Sequence, residues 1–126
     1  MRVMVLAVGS LGGPGLESAT RAYEDRARRY FDLEVTEVRP APGGLEDAEG
    51  RRRDGEALRE RLPPELESFA LTREGKGLTS VGLARHLERL ATYGRPGAAF
   101  LVGGARGMDE TTLAADETGT VAVYVV

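Results

Sequence analysis

Five runs of strand-forming residues, separated by longer polar stretches, predict five β-strands in this chain. They cover residues 3–8, 33–38, 69–71, 98–102 and 121–126. The first run is continuously apolar, which is typical of a strand that is buried on both faces. Glycines or prolines follow most of these runs and mark the expected strand ends.

Apolar residues at helical spacing predict long helices in the gaps between the strands. The first helix covers residues 16–30, and its apolar positions are Ala19, Ala22, Tyr23, Ala27 and Tyr30. A later helix is capped by Thr79 or Ser80 and ends at Gly94. Its expected apolar face consists of Val81, Leu83, Leu87, Leu90 and Ala91.

The helix between these two, over residues 45–62, has a weaker pattern. Its apolar stripe is limited to Leu45, Ala48, Leu58 and Leu62. Gly50 and Gly55 lie inside the pattern and lower its helix propensity. A short fourth helix is predicted from an Asp109 cap through Ala115.

Strands that alternate with helices in this way predict one α/β domain over residues 1–126, with a mostly parallel sheet and flanking helices. The absence of Cys from the sequence excludes a disulfide scaffold, a thiolate zinc site and a Cys nucleophile. The opening apolar run is too short for a membrane span and does not resemble a signal peptide. We expect a cytoplasmic protein without a membrane or metal partner.

The charged residues of the chain limit the kinds of partner that it is expected to bind. A net charge of −3 argues against a strongly basic protein that binds nucleic acid through phosphate neutralisation alone. The run Arg51, Arg52 and Arg53, with Arg59 and Arg61, is more typical of a solvated helix face than of phosphate contacts. For the single histidine, His86, a surface position is favoured over a role as catalytic base.

Three glycine-containing loops follow predicted strands, at residues 9–15, 73–77 and 103–107. Ligands of parallel sheets bind beyond the carboxyl ends of the strands, so each loop is a candidate site. The first does not fit the dinucleotide-binding fingerprint, and the second is not a phosphate-binding loop; both are interpreted as turns. For the third, a ligand-binding loop and a simple turn are equally favoured.

Several of these segments resemble one known family in their order and spacing. They are LTREGK at residues 71–76, LATYG at 90–94 and FLVGG at 100–104, with Gly107 just beyond. VLAVG at residues 5–9 and the positions of Glu24, Arg28 and Tyr30 agree with it. The chain resembles the RlmH-type SPOUT methyltransferases, which methylate a pseudouridine of large-subunit ribosomal RNA.

The resemblance implies an α/β-knot fold, S-adenosylmethionine as methyl donor, a homodimer, and rRNA of the assembled ribosome as substrate. The family's cofactor contacts map onto Leu71, Gly103, Val121, Ala122, Val123, Tyr124, Val125 and Val126. It makes Arg26, Arg28, Arg29 and Arg106 candidates for RNA contact. No catalytic residue is identified.

Members of the family continue after the fifth strand with Pro-His-x-x-x-Arg and a helix. The sequence stops at Val126, before that segment, so the resemblance implies an incomplete knot. An uncovered last strand is expected to promote dimerisation or aggregation. A non-catalytic SPOUT-like module that binds ribosomes or RNA is the alternative function. A flavodoxin-like ligand-binding domain is a weaker third hypothesis.

Overall fold

The computed structural model describes residues 1–10, 15–104, 106–109, 112 and 121–125, and for residues 73, 74 and 121–125 it describes the backbone alone. Its elements, in chain order, are β1 (Arg2–Val8), α1 (Glu17–Ala27), β2 (Asp32–Val38), α2 (Asp47–Arg61), β3 (Glu67–Leu78), α3 (Ser80–Thr92), β4 (Gly97–Val102) and β5 (Val121–Val125). These are the five predicted strands and three long helices. Most of the predicted helix over 109–115 lies outside the described residues.

The five strands form one sheet in the order β2-β1-β4-β3-β5, and every pair of neighbours is parallel. The predicted α/β class with a mostly parallel sheet is therefore confirmed. All five carboxyl ends point to the same edge of the sheet because the strands are parallel. At that edge the loops that follow β1, β2 and β4 come together.

Helices pack on both faces of the sheet. On one face Met4, Leu6 and Leu101 pack with Leu58 of α2 in a buried cluster. On the other face Phe69 and Ala98 are buried with Leu90 of α3. Removal of these apolar surfaces from water is the main contribution to the stability of the fold.

Helix α3 begins and ends where the sequence predicts. The Thr79 hydroxyl accepts a hydrogen bond of 2.9 Å from the backbone N–H of Gly82, so Thr79 is the cap. Gly94 follows the helix with a φ of +78°. The expected apolar face is only partly correct, because Val81 is 60% exposed and Ala91 is also exposed.

Helix α1 buries none of its residues. Two of its expected apolar positions, Tyr23 and Tyr30, are 67% and 76% exposed, and Tyr30 lies beyond the end of the helix. The Arg26 guanidinium stacks over the Tyr23 ring, 4.7 Å from its centroid. The prediction that α1 packs through an apolar face ending at Tyr30 is therefore wrong, because the helix ends at Ala27 and its apolar residues are not buried.

Strand β3 is longer than predicted. The polar turn expected over residues 73–77 is wrong, since β3 runs without a break from Glu67 to Leu78. Polar residues and glycines are typical of turns, but pairing with β5 holds the second half of the strand extended: Gly77 pairs with Tyr124, and Leu78 with Val125. A partner more than forty residues away along the chain overrides the local preference.

Helix α2 also differs from its prediction. It begins at Asp47, which leaves Leu45 outside it, and Ala48 is exposed. Its buried residues are Gly50, Asp54, Gly55 and Leu58. The predicted apolar stripe is correct at Leu58 and Leu62, which pack in the core cluster, and wrong at Leu45 and Ala48, because the rest of the buried face packs against polar loop residues.

Candidate functional site

Leu71 lies between two strands that carry the other predicted cofactor residues. It pairs with Val102 of β4 on one side and with Val123 of β5 on the other. Gly103 follows Val102 directly. The structure thus brings Leu71, Gly103 and the backbone of β5 together at the carboxyl edge of the sheet. Val126 lies outside the described residues.

The ladder between β3 and β5 is irregular at this place. Val123 is the partner of both Leu71 and Lys76, so the register shifts across the residues between them. Such a bulge bends a strand and redirects its side chains, and bulges are common beside binding sites. The Leu71 side chain is 36% exposed. An apolar surface is therefore open next to an interrupted ladder.

The loop after β4 closes in a tight turn. The Gly107 N–H donates to the Gly104 carbonyl oxygen at 3.0 Å, and Gly107 has a φ of +83°, which favours glycine. A Cβ on Gly103 would lie 3.0 Å from Cγ of Met108, and one on Gly104 would lie 2.9 Å from Cγ1 of Val8. The loop packs this closely because neither residue has a side chain.

Arg106 fixes this turn to the loop that follows β2. Its guanidinium donates to the carbonyl oxygens of Pro42 at 3.1 Å and Ala41 at 3.5 Å. Its side chain is 19% exposed and lies 3.9 Å from the Asp47 carboxylate. Arg106 is largely buried and donates two hydrogen bonds within the protein, which argues against the hypothesis that it contacts RNA.

Helix α2 supports both loops through its buried face. The Asp54 carboxylate is buried, and its Oδ1 accepts from the Ala41 N–H at 2.7 Å. Arg59 pairs with the carboxylate of Asp109 at 3.1 Å and also donates to the Thr112 hydroxyl. This cluster was not predicted from the sequence. The signal was the four-residue spacing of Gly50, Asp54 and Leu58, which places them on one helix face.

The other arginines of α2 behave as predicted. Arg52 and Arg53 are about half exposed, at 54% and 49%, and both bond the Glu49 carboxylate. Hydrogen bonds from Arg52 first, and then from Arg53, lower the pKa of Glu49 to about 2. This part of the arginine run is a solvated helix face. Arg59, in contrast, is only 25% exposed.

His86 is neither fully solvated nor close to the glycine turn. Its Nε2 lies 2.9 Å from Oε1 of Glu67, the first residue of β3, and its ring meets Phe69 edge-on at 5.2 Å between centroids. The side chain is 30% exposed. Since Glu67 lies at the amino end of β3, His86 is at the edge of the sheet opposite to Gly103. The expected solvated surface position is therefore only partly correct, because Glu67 and Phe69 partly cover the His86 ring.

Among the described residues, no group of three or more His, Asp or Glu side chains could hold a metal ion. Within the same part of the chain, no helix is long and apolar enough to cross a membrane.

A comparison with protein families tests the resemblance to SPOUT methyltransferases against the flavodoxin-like hypothesis. The sequence model described as "Predicted SPOUT methyltransferase" matches residues 1–120. The chain belongs to the SPOUT methyltransferase family. The resemblance seen in the sequence is thereby confirmed, and the flavodoxin-like hypothesis is set aside.

Curated relatives within the SPOUT methyltransferase family carry the name "Ribosomal RNA large subunit methyltransferase H". The chain is 34% identical to the protein of Exiguobacterium sibiricum over 113 residues, which is 86% of this chain and 71% of that protein. It is 34% identical to the protein of Pelobacter propionicus over 110 residues, 87% of this chain and 72% of that protein. It is 31% identical to the protein of Listeria welshimeri over 118 residues, which is 90% of this chain and 74% of that protein.

This SPOUT chain also has an open apolar groove between α1 and α3, which we call the α1–α3 groove. One part, of about 470 Å³, is lined by Tyr23, Ala27, Leu87 and Phe100 among others. A second part, of about 430 Å³, includes Ala84. The two parts share Phe31, Leu83 and Leu87, so they are continuous.

Proposed function

We propose that this chain is an S-adenosylmethionine-dependent methyltransferase that methylates ring nitrogen 3 of a pseudouridine in large-subunit ribosomal RNA. Membership of the SPOUT methyltransferase family supports the methyl transfer, and the name of the relatives supports the RNA. One structural observation carries the site. Leu71 pairs with both Val102 and Val123 beside a glycine turn, at the edge where parallel sheets bind ligands.

The residues at this edge fit an adenosyl group. The partly exposed Leu71 side chain offers an apolar surface to a purine ring, and the interrupted ladder and the turn at Gly103 offer backbone polar groups to its edge. The proposed contacts are Leu71, Gly103, Val121, Ala122, Val123, Tyr124, Val125 and Val126. We propose a single domain over residues 1–126, since one sheet contains strands from both ends of this chain.

The bound cofactor would supply an electrophilic methyl group on a sulfonium, with the neutral thioether S-adenosylhomocysteine as the leaving group. What remains for the chain is to position the acceptor nitrogen in line with that methyl group, to exclude water, and to let the proton of that nitrogen pass to a base or to solvent. The hydrogen bond from the Gly107 N–H to the Gly104 carbonyl oxygen closes the turn after β4, and a pre-organised loop lowers the entropy lost on binding.

For the RNA we propose contacts with Arg26, Arg28 and Arg29, which are all exposed. They lie at the end of α1 that is near the amino ends of the strands, where Asp32 bonds Met1. A footprint that includes these arginines and Leu71 would extend along the whole of α1. Since the proposed substrate is ribosomal, we expect the protein to act in the cytoplasm.

We further propose a homodimer in which a second copy covers the α1–α3 groove. Tyr23 is largely exposed at its rim, and α1 buries no residue in the single chain. An apolar groove of this size is more typical of an interface than of a surface in contact with water.

Calorimetric titration with S-adenosylhomocysteine tests the site. We expect the chain to bind it, Leu71→Glu to abolish binding, and Val81→Glu, a charge at another exposed apolar position, to leave binding unchanged. Lack of binding by the unaltered chain, or equal binding by both variants, would contradict the proposed site.

Incorporation of labelled methyl groups into ribosomes tests the reaction. Labelled pseudouridine in the large-subunit RNA is the expected result. Binding to ribosomes without methyl incorporation would instead support the alternative, a non-catalytic ribosome-binding module.

A further inference from the structure

After the glycine turn that begins at Gly103, the chain contacts helix α2 a second time, in addition to the contact made by Arg106. Asp109 follows the turn closely, and its side chain is only 11% exposed. One guanidinium nitrogen of Arg59 lies 3.3 Å and 3.1 Å from its two carboxylate oxygens. Oδ1 of Asp109 also accepts from the Thr112 N–H at 3.3 Å. A single side chain of α2 therefore holds both Asp109 and Thr112.

Helix α2 has a glycine at the place where this segment packs against it. A Cβ on Gly55 would overlap the Asp109 carboxylate and the Thr112 hydroxyl. Thr112 is completely buried there. Glycine at position 55 thus lets the segment approach the helix backbone, and Arg59, one turn further along, closes over it.

We propose that Arg59 is a positioning residue for the cofactor site, one that keeps the turn from Gly103 to Gly107 in its binding conformation through Asp109 and Thr112. The inference rests on the proposed function, because Gly103 is a cofactor contact only there. Arg59 itself lies on α2, outside the proposed set of cofactor contacts. It acts on the ligand only through the loop.

The chemistry of arginine suits this role. A guanidinium is always charged and has several donors in one plane, so it can bond a carboxylate and a hydroxyl together. A lysine at the same place would keep the charge but not this geometry. The pair is largely removed from solvent, so loss of Arg59 would leave the Asp109 carboxylate without its counter-charge. The segment would then have to move towards water, and the turn would move with it.

Three variants in α2 separate positioning from general stability. Arg59→Ala removes the anchor, Arg59→Lys keeps only its charge, and Arg61→Ala removes an exposed arginine of the same last turn. For each we would measure the S-adenosylhomocysteine Kd well below the melting temperature, the hydrogen exchange of residues 101–109, and the denaturation midpoint.

We expect Arg59→Ala to raise the Kd by about tenfold, a coupling usual for contacting groups, with faster exchange at Gly103, Gly104 and Gly107. Arg59→Lys should be intermediate and Arg61→Ala unchanged. Combining Arg59→Ala with Asp109→Ala should weaken binding no further than Arg59→Ala alone. A lower midpoint for Arg59→Ala with an unaltered Kd would mean a purely structural role and would overturn the inference.

Failure of the proposed function gives a different result. If the unaltered chain binds no S-adenosylhomocysteine, the cofactor part is overturned for every variant at once. Exchange in the absence of ligand still decides whether Arg59 holds the turn, and an unchanged rate in Arg59→Ala would contradict that. If Arg59→Ala does not fold, Arg59→Lys is compared with Arg61→Ala instead. This comparison tests both the effect on the S-adenosylhomocysteine Kd and the effect on hydrogen exchange in the turn.

Discussion

The side chain of Arg106 lies directly against the backbone of Gly50, in the space that a Cβ at this position would occupy. A Cβ on Gly50 would be 2.5 Å from Cδ of Arg106. Gly50 and Gly55 are thus the positions of α2 that the loops at the carboxyl edge of the sheet contact. Glycine within a helix usually weakens the helix.

We expect Gly50→Ala and Gly55→Ala to destabilise the protein, whereas an exposed glycine-to-alanine change in a helix stabilises it by about 1 kcal/mol. The loss should be larger at Gly55, about 2 kcal/mol, because the buried Thr112 cannot move aside. At Gly50 the flexible end of Arg106 can swing away, at the cost of its hydrogen bonds to carbonyl groups. Urea unfolding monitored by circular dichroism measures both.

Gly43→Ala provides a control, since a Cβ at that loop position meets nothing within 4 Å. Its unfolding midpoint should remain close to that of the unaltered chain. An increase in stability for both helix variants would contradict the close packing of α2 against the two loops.

The arginines divide into those that face solvent and those that hold the fold together. Arg29→Ala should weaken RNA binding and lower the slope of log K against log salt by about one, as expected when one phosphate contact is lost. Arg106→Ala should leave this slope unchanged, because its guanidinium bonds the carbonyls of Ala41 and Pro42. Filter binding to a large-subunit RNA fragment over a salt series measures both slopes.

Arg106→Ala should instead lower stability by about 1.5–3 kcal/mol, the usual range for hydrogen bonds to a charged group. If Arg106→Ala lowers the salt slope and leaves the stability unaltered, the prediction is wrong. Arg106 would then be an RNA contact without a structural role.

Much of the fold could be predicted from local patterns, because a strand such as β1 is apolar throughout and α3 has both a capping threonine and a terminating glycine. Contacts between distant segments could not. The second half of β3 has the composition of a turn and is held extended by β5. Gly55 weakens α2 as an isolated helix, but it is required by Asp109, more than fifty residues later.

The same limit applies to the candidate site. The motif containing Leu71 and the glycines after β4 could be recognised because strand ends and glycine loops are local features, and the structure brings both to one edge of the sheet. The supporting pair of Arg59 and Asp109 is a contact between a helix and a loop. In the sequence, Arg59 was indistinguishable from the solvated Arg52 and Arg53.

The acidic side chain of Glu49 gives a pH dependence with a definite sign. Hydrogen bonds from Arg52 and Arg53 lower its pKa to about 2, from an ordinary value of 4.5. A lowered pKa in the folded state means that the charged form stabilises α2. This contribution is fully present above pH 4.5 and is lost as the pH falls from 4.5 towards 2. An NMR titration of the Glu49 carboxyl carbon measures it.

Replacing both arginines, in Arg52→Gln with Arg53→Gln, should return the pKa of Glu49 towards its ordinary value. Arg51→Gln removes a neighbouring arginine that is not a cause of the lowered pKa of Glu49, so it should change that pKa much less. High salt should also raise the pKa, since the group is exposed and its charge interactions are screened. A low pKa that persists in the double variant would rule out these ion pairs as its cause.

The α1–α3 groove predicts how oligomeric state responds to charge. Ala84 lines the groove and is exposed in the single chain, so Ala84→Glu can fold normally. In a dimer, however, the new carboxylate would be buried without a partner, at a cost of several kcal/mol. We therefore expect the unaltered chain to sediment as a dimer and Ala84→Glu as a monomer at the same concentration.

Val81→Glu is the matched control, because Val81 is on the same helix and is 60% exposed but does not line the groove. It should remain dimeric. Dimers in both variants would place the interface elsewhere, with the edge strand β5 as the next surface to examine, since β3 is its only partner within the described sheet. A monomeric unaltered chain would show that a second copy does not cover the groove.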